Sequence, residues 1–255
     1  MSQLLEPELD IVIPVFNEAE NIIPVMDALA TEIETPHRVL ICYDSDDDDT
    51  LTALAGYDYP GTIDYVKNPS RGPHSAIVAG FRHGRSKAVL VFPADDTFNA
   101  SIVDRMYQSL EQGNEIAVAS RFMKGGSLEG CPWLKRVLVR TASWTLFHVA
   151  RLPVRDATNG MRMFSRRVLD TIPIESSEGF TYGLELTAKG HRLGLPFSQV
   201  PARWRERLRG TSRFRVYRWM LPYLRWYFYA FATTFLRRRK VRGATWGEHH
   251  DGAER

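Results

Sequence analysis

The sequence has few cysteines and lacks the glycine-rich motifs that bind nucleotide phosphates. The 255 residues include two cysteines, Cys42 and Cys131, too few for a disulfide framework or an unaided zinc site, so a reducing compartment is expected. The turn after the first predicted strand, residues 14–21, lacks the glycines that let a backbone approach a pyrophosphate. Walker A, GxSxG and HExxH motifs are also absent. These absences argue against an NAD-type Rossmann enzyme and leave no motif for a P-loop NTPase, a GxSxG hydrolase or an HExxH protease.

The sequence also predicts neither a secretion signal nor a membrane span. Residues 1–10 hold Glu6, Glu8 and Asp10 before any apolar run, unlike the basic and apolar regions of a signal peptide. The longest apolar stretch, 219–236, approaches the roughly 20 residues that cross a bilayer. It contains Pro222 and Arg225 and is flanked by more arginines, so we expect it to lie on a membrane surface.

Charge is divided unevenly along the chain, although the net charge is only +3. Residues 1–200 carry 19 basic and 26 acidic side chains, whereas residues 201–242 carry 13 basic side chains and one acid. An acidic body with a basic, aromatic C-terminal segment indicates an anionic partner, either phospholipid or nucleic acid.

The first half of the chain alternates β-branched apolar runs with helical patterns, which is typical of βαβ units. Candidate strands cover 9–15, 38–43, 62–66, 88–92 and 115–120, and candidate helices cover 21–32, 49–55, 73–85 and 101–112. Pro73 suits a first helical position, and Asn99 or Ser101 suits a helix cap. The sequence therefore predicts an α/β fold with a Rossmann-like, mostly parallel sheet flanked by helices.

The second half predicts amphipathic, interfacial helices. A helix over 133–151 sets apolar residues against Lys135, Arg136 and Arg140, and a strand at 161–164, a helix at 182–193 and a strand at 197–204 follow. One face of a C-terminal helix then carries residues spaced alternately by three and four, namely Phe214, Tyr217, Leu221, Leu224, Phe228, Phe231 and Phe235. This face is expected on a membrane, with packing on the core as the alternative. The parts expected are a catalytic domain at 1–212, a basic aromatic membrane-associated helical segment at 213–242 and a disordered tail at 243–255.

Polar side chains follow three of the predicted strands. Asn17 and Glu18 follow the first, Asp44 opens an acidic run after the second, and Asp95 and Asp96 follow the fourth. Parallel strands bring their carboxyl ends to one edge, where such sheets bind ligands. Oxygen ligands there suit Mg²⁺ or Mn²⁺ bridging phosphates. Simpler roles also fit, because Asn17 and Glu18 suit a helix cap and a first-turn acid, and acidic runs are usually solvated.

Several motifs together resemble a known family. They are the run Ile-Val-Ile-Pro-Val-Phe-Asn-Glu-Ala-Glu-Asn-Ile at 11–22, the acidic turn at Asp44, Arg71-Gly72, Ala94-Asp95-Asp96, Ser120-Arg121-Phe122 with Gly125-Gly126, and Asp-Ala-Thr-Asn-Gly-Met-Arg at 156–162. In order and spacing, over roughly 8–215, they are similar to family 2 glycosyltransferases with the GT-A fold. The branch they most resemble is that of the dolichol-phosphate mannose synthase-like, polyprenyl-phosphate sugar transferases.

The resemblance implies a donor site. Pro14, Asn17 and Glu18 would line the nucleotide pocket, Asp44 would contact the base or ribose, and Arg71 would lie near the nucleotide.

The resemblance also implies a catalytic centre with Mg²⁺ or Mn²⁺. Asp95 matches the second acid of the family's Asp-x-Asp metal motif, Pro93 occupies the position of the first acid, and Asp96 is an additional candidate ligand. Arg162 ends an element similar to the family's Asp-x-Thr-x-Gly-x-Arg and is implied to be catalytic. Glu185 follows on a predicted helix, where an ordinary surface acid is the alternative.

The implied acceptor is a polyprenyl phosphate bound by Arg121, Arg136 and Arg140, although Arg140 equally fits a solvated basic helix face. Such an acceptor is already an anion, so the reaction needs no strong general base. The expected function is transfer of a sugar from a nucleotide-diphosphate sugar to polyprenyl phosphate, with inversion. The expected enzyme is cytoplasmic and peripheral on the inner face of the cell membrane, and it binds no nucleic acid.

Three other functions stay open at this point. A hydroxyl acceptor would need a base, for which Asp96 and Glu185 are available. A sugar nucleotidyltransferase shares the sheet layout, and a non-catalytic membrane or nucleic-acid adaptor would use the arginine-rich tail. The acids at three strand ends argue against an adaptor.

Overall fold

The fold is built on a seven-stranded sheet, seen in a computed structural model that describes residues 6–205 and 216–235. The strands are β1 (Leu9–Pro14), β2 (His37–Tyr43), β3 (Thr62–Lys67), β4 (Ala88–Val91), β5 (Ile116–Ser120), β6 (Ser127–Glu129), β7 (Arg162–Ser165), β8 (Phe197–Pro201) and β9 (Arg203–Arg205). The order across the main sheet is β3-β2-β1-β4-β7-β5-β8, and β6 pairs with β9 in a small second sheet. All pairs are parallel except those of β7 with β4 and β5.

Helices cover both faces of the main sheet. They are α1 (Ala19–Glu32), α2 (Asp49–Leu54), α3 (Pro73–His83), α4 (Val103–Glu111), α5 (Trp133–His148), α6 (Arg166–Thr171), α7 (Thr181–Leu193) and α8 (Val216–Phe235). Alternate residues of β1 serve opposite layers: Ile11 and Ile13 pack with α1 and α4, whereas Val12 packs with α3. The two-residue period of a strand thus divides the core into two buried layers, as an α/β architecture requires.

The predicted elements of the first half are confirmed, with ends shifted by at most two residues. Pro73 is the first residue of α3, as expected. The expected cap of the fourth helix is wrong, because a 3-10 turn (Ala100–Ile102) precedes α4 and the Asn99 side chain makes no capping bond. In the second half β6 and α6 were not predicted, and the strand expected at 197–204 is divided at Ala202 into β8 and β9, which belong to different sheets.

Helix α8 packs on the domain through one face and exposes the other. Trp226 and Ala230 are buried in the layer that also contains α7, and the Tyr227 hydroxyl lies 2.8 Å from the Thr145 hydroxyl of α5. The exposed large residues are Leu221, Leu224, Phe228 and Phe235, four members of the predicted face. A proline inside a helix is expected to kink it or divide it in two, but Pro222 does not divide α8.

Not every segment discussed above lies within the described residues. Phe214 and the tail at 243–255 lie outside them. Within residues 6–205 and 216–235, none of the helices has the length and hydropathy that a membrane span requires.

Candidate active site

The loop after β1 is held against the acidic turn after β2. The backbone N–H of Asn17 donates to both carboxylate oxygens of Asp48 at 3.1 Å, and Asn17 adopts a left-handed φ of 53°. Asp48 is buried and also caps α2 through Thr50 N–H at 2.9 Å. Glu18 N–H donates to the Thr50 hydroxyl at 2.9 Å. The exposed Asp49 adds a bond from Ala19 N–H at 3.2 Å. Two acids of the run therefore order this loop, while Asp46 and Asp47 are exposed.

Asp44 lies at the end of β2 and holds the loop that contains Arg71. Its carboxylate accepts from the Asn68 side chain and from the backbone N–H of Gly72, both at 2.8 Å. The Asn68 amide oxygen in turn accepts from the Ser75 hydroxyl at 2.6 Å. Asp44 is half-buried, whereas Arg71 is exposed. Sequence reasoning missed Asn68, which is buried and orients Asp44 from the neighbouring strand end.

The loop after β4 carries Asp95 and Asp96 in different roles. Asp96 accepts from Phe98 N–H (2.9 Å), Asn99 N–H (3.1 Å) and the Asn99 side-chain amide (2.6 Å). Burial raises the pKa of Asp96, and the three donated hydrogen bonds oppose that rise. The Asp96 carboxylate is thus engaged within the loop. Asp95, half-buried at the sheet edge, remains the better placed of the two for a metal ion.

The donor set for a metal ion is small. Among the described residues, no three His, Cys, Asp or Glu side chains converge as a metal site would require. Mg²⁺, however, is usually held by one or two carboxylates together with substrate phosphates and water. Asp95 therefore fits a divalent cation that is bound jointly with a diphosphate, and it does not fit a cage made of protein ligands alone.

A cleft of about 540 Å³ lies between the loop after β5 and helix α5. Its lining combines arginines with aromatic rings: the residues are Arg121, Phe122, Met123, Gly126, Arg140, Thr141, Ser143, Trp144, Phe147, His148 and Arg155. The Arg140 guanidinium lies 5.7 Å from the centre of the Phe122 ring, and that of Arg155 lies 4.7 Å from the Phe147 ring. Cationic groups beside apolar rings suit an anion attached to an apolar chain.

Arg121 lines this cleft but is bound mainly to Asp156. Its Nε and Nη2 donate to the two oxygens of Asp156 at 2.7 and 2.9 Å, and Nη2 also donates to the Thr158 hydroxyl at 2.8 Å. The Asp156 side chain is fully buried, and that of Arg121 is 9% exposed. Burial alone would raise the pKa of Asp156, but the charge and hydrogen bonds of Arg121 hold it below its usual range. This pair fixes the loop at 156–160 to the end of β5.

Arg136 lies four residues before Arg140 on α5 and therefore on the same side of that helix. It is exposed and does not line the cleft, and its Nη2 donates to the carbonyl of Cys131 at 3.2 Å. Arg155, which lines the cleft immediately before Asp156, was missed because an arginine in a turn carries no signal of its own in the sequence.

Arg162 and Glu185 require correction, because both side chains lie in the interior. Arg162 is fully buried and donates to the carbonyls of Asn159 (2.9 Å), Ala157 (2.5 Å) and Gly183. Its guanidinium thus joins the loop at 156–160 to α7, which is a positioning role and not contact with a substrate.

Glu185 is likewise fully buried, not a surface acid. It accepts from Lys189 Nζ at 2.6 Å and from the backbone N–H groups of Glu175 (2.6 Å) and Ser176 (2.8 Å). A carboxylate so occupied is a poor general base.

The topology brings the remaining predicted residues to one edge of the sheet. Asn17 and Glu18 follow β1, Asp44 follows β2, Asp95 follows β4 and Arg121 follows β5, and these four strands run in the same direction. Because β1, β2 and β4 are adjacent, the first three groups form one half of the edge. Across β7, the arginine-lined cleft forms the other half.

Comparisons with solved structures and with a family model identify the fold and the family. Glucosyl-3-phosphoglycerate synthase from Mycobacterium tuberculosis, crystallised with Mn²⁺, UDP and glucosyl-3-phosphoglycerate, matches with a TM-score of 0.64 at 14% identity, over 90% of this chain and 80% of that one. The same enzyme, crystallised with Mg²⁺ and UDP, matches with a TM-score of 0.63 at 15% identity, over 90% of this chain and 79% of that one. These likenesses establish the fold, which is GT-A as predicted. The model of the family described as glycosyl transferase family 2 matches residues 10–172. The chain belongs to glycosyl transferase family 2.

Relatives of this family 2 glycosyltransferase include enzymes of lipid-linked mannose transfer. Polyprenol monophosphomannose synthase of Mycolicibacterium smegmatis is 28% identical over 212 residues, covering 80% of this chain and 79% of that protein. Dolichol-phosphate mannosyltransferase of Pyrococcus furiosus is 22% identical over 230 residues, covering 86% of this chain. The chain spans 64% of the length of this second relative. The expectation of a glycosyltransferase is thus confirmed.

Proposed function

We propose that this glycosyltransferase moves a sugar from a nucleoside-diphosphate sugar to a polyprenyl phosphate, with inversion at the anomeric carbon. The cleft beside α5 carries the proposal, because Arg140 and Arg155 offer guanidinium donors next to the apolar surfaces of Phe122 and Phe147. A lipid phosphate has the same two parts, an anion and an apolar chain. The names of the two relatives support the same acceptor class.

The nucleotide-sugar donor would bind at the other half of the sheet edge, at the ends of β1, β2 and β4. Asp44 would accept hydrogen bonds from the ribose or base, with Pro14, Asn17, Glu18 and Arg71 around it. Asp95 would hold Mg²⁺ or Mn²⁺ together with the donor diphosphate. The cation would neutralise the diphosphate and stabilise it as a leaving group.

Arginines of the cleft would bind the acceptor phosphate. Arg140 and Arg155, with Arg136 one turn away on α5, would orient the acceptor phosphate so that its oxygen faces the anomeric carbon. Arg121 would contribute mainly by fixing the wall of the cleft, since Asp156 and Thr158 take its Nε and Nη2. Direct displacement by that oxygen inverts the configuration, and no side chain needs to remove a proton.

We place the reaction at a membrane surface, on the inner face of the cell membrane. Helix α5 exposes Trp133 by 75%, and also Leu134, Val137, Leu138 and Trp144. Helix α8, which contacts α5, exposes Leu221, Leu224, Phe228 and Phe235. Aromatic and aliphatic side chains next to arginines suit the headgroup region of a bilayer. The inner face is proposed from the sequence, whose two cysteines suit a reducing compartment.

A donor and acceptor screen tests the reaction. The full chain is incubated with UDP- and GDP-sugars, with Mg²⁺, Mn²⁺ or EDTA, and with either a short polyprenyl phosphate or the corresponding prenol. We expect transfer to the phosphate only, and loss of transfer with unchanged folding in Asp95→Asn. Transfer to the prenol would favour the hydroxyl-acceptor alternative, and full activity of Asp95→Asn with metal still required would refute the role of Asp95.

Liposome sedimentation tests the membrane surface. Truncation before α8 is unsuitable because it would remove the buried Trp226 and Ala230 from the core. Surface substitutions avoid this problem: Trp133→Ser with Leu138→Ser on α5, and Leu221→Ser with Phe228→Ser on α8. Both pairs should weaken sedimentation with anionic liposomes, whereas exposed Tyr65→Ser on β3 should not. Unchanged sedimentation of both pairs would refute the placement.

A further inference from the structure

Asn99 connects two parts of the edge that the chain itself keeps far apart. It lies in the loop between β4 and α4 and is 3% exposed. Its side-chain amide donates to Asp96 Oδ2 at 2.6 Å and to the carbonyl of Arg203 at 2.7 Å, and its side-chain oxygen accepts from Arg203 N–H at 2.9 Å. One side chain thus joins the loop that carries Asp95 to a strand 104 residues later in the chain.

The strand it reaches pairs with a strand that adjoins the arginine-lined cleft. Arg203 is the first residue of β9, and it is paired in register with Ser127 of β6. Ser127 directly follows Gly126, which lines the cleft, and its N–H donates to the carbonyl of Ala202 at 3.0 Å. The connection therefore runs from Asp96 through Asn99 and β9 to β6.

A simple helix cap would not explain this arrangement. Asn99 precedes a 3-10 turn but makes no side-chain capping bond to it. Its amide bonds instead to Asp96 within the loop and to Arg203 in the distant strand. Without these bonds, the Asp96 carboxylate would lose its side-chain donor, and the N–H and carbonyl of Arg203 would lose their partner. Buried polar groups that lack a hydrogen-bond partner would destabilise the packing of the loop against β9.

We infer that Asn99 is a positioning residue that holds the metal-binding loop against the β6–β9 sheet and so sets the distance between donor and acceptor. This inference rests on the proposed function, because it assigns the metal ion to Asp95. Asn99 acts through Asp96 and the backbone, without touching a substrate. Groups that bond directly to a metal ligand typically contribute about ten- to a hundredfold to metal affinity. Because Asn99 bonds to the neighbour of Asp95, we expect an effect at the lower end of that range.

Metal binding in the absence of turnover is the test. Mn²⁺ is titrated into the full chain saturated with UDP or GDP, whichever binds more tightly, and the nucleoside diphosphate alone is titrated in EDTA. Asn99→Ala should raise the Mn²⁺ dissociation constant about tenfold or more while leaving binding of the metal-free nucleoside diphosphate within about twofold. Asn99→Asp keeps the acceptor for Arg203 N–H but removes the donor to Asp96, and it should also raise the Mn²⁺ dissociation constant. This variant tests the inference if the alanine variant does not fold.

Asn114→Ala is the matched control. Its amide donates to the Ser109 carbonyl at 2.9 Å, before β5 begins and so at the opposite edge of the sheet, and its loss should leave both constants unchanged. Wild-type protein that binds no Mn²⁺ with either nucleotide would refute the proposed metal site, and the inference with it. Mn²⁺ binding that is equal in the wild type and in the folded Asn99 variants would overturn the inference alone, as would an equal loss of both ligands.

Discussion

Replacing Asp156 with alanine should strongly destabilise the protein, because it leaves the Arg121 cation buried without its partner. Asp156 is fully buried, and it also accepts from the backbone N–H groups of Arg121 (3.0 Å), Thr158 (3.2 Å) and Asn159 (3.1 Å). Breaking a buried ion pair from one side costs about 3–5 kcal/mol. For a chain of this size, that corresponds to a fall in Tm of about 6–20 °C.

Thermal unfolding followed by circular dichroism measures this effect, with two further variants. Glu129→Ala removes an exposed partner of Arg205, with both side chains about half exposed, and should hardly change Tm. Adding Arg121→Met to Asp156→Ala removes the uncompensated cation and should recover part of the lost stability. If Asp156→Ala melts within about 2 °C of the wild type, the buried pair does not have the role assigned to it.

The same pair predicts a dependence on pH. Because the pKa of Asp156 is lower in the folded protein than in the unfolded chain, its contribution is present above the unfolded value of about 3.9. The contribution is lost as the pH falls through the folded pKa. The difference in unfolding free energy between the wild type and Asp156→Ala should therefore be constant near neutral pH and shrink below about pH 4. Urea unfolding at several pH values checks this, and a difference that grows on acidification would contradict it.

Three further outcomes are expected. Asp44→Ala should weaken nucleoside-diphosphate binding in calorimetry by about tenfold or more, because the loop held through Asn68 and Gly72 is released, and an unchanged constant would remove Asp44 from the donor site. Arg155→Ala should raise the KM for polyprenyl phosphate by about ten- to a hundredfold without changing nucleotide affinity, and an equal loss for both ligands would point to a folding role. Gly80→Ala should cost about 1–3 kcal/mol in thermal unfolding, since the added Cβ would lie 2.6 Å from a Val12 methyl group, and wild-type stability would show that α3 can move away from β1.

The first half of the fold was predictable because its signals are local. Strands such as β1 and β2 are mostly apolar runs, and some helices between the strands begin at a clear signal, such as Pro73 of α3. A parallel sheet then brings the strand ends together, so the placement of Asp44 and Asp95 at one edge followed from the order of elements.

The rest depends on partners that are distant in the chain. Arg162 was given a catalytic role from its place in a family-like motif, and a surface position was one alternative for Glu185 because charged residues are rarely buried. Each is instead enclosed by backbone carbonyls or N–H groups from other segments. The three-residue strands β6 and β9 are too short to show a period, and they pair across 76 residues. Arg155 could be identified only from the structure, which shows that it lines the cleft.

The position of β7 between β4 and β5 separates the two halves of the edge. Strands β4 and β5 do not pair with each other, because β7 lies between them and runs the opposite way. Neighbouring strands are about 4.8 Å apart, so the loops carrying Asp95 and Arg121 leave the sheet with about 10 Å between their strands. The strand order therefore sets the distance between the two loops. Inserting or deleting one strand at this point would change that distance by a full strand spacing, which no side-chain substitution could correct.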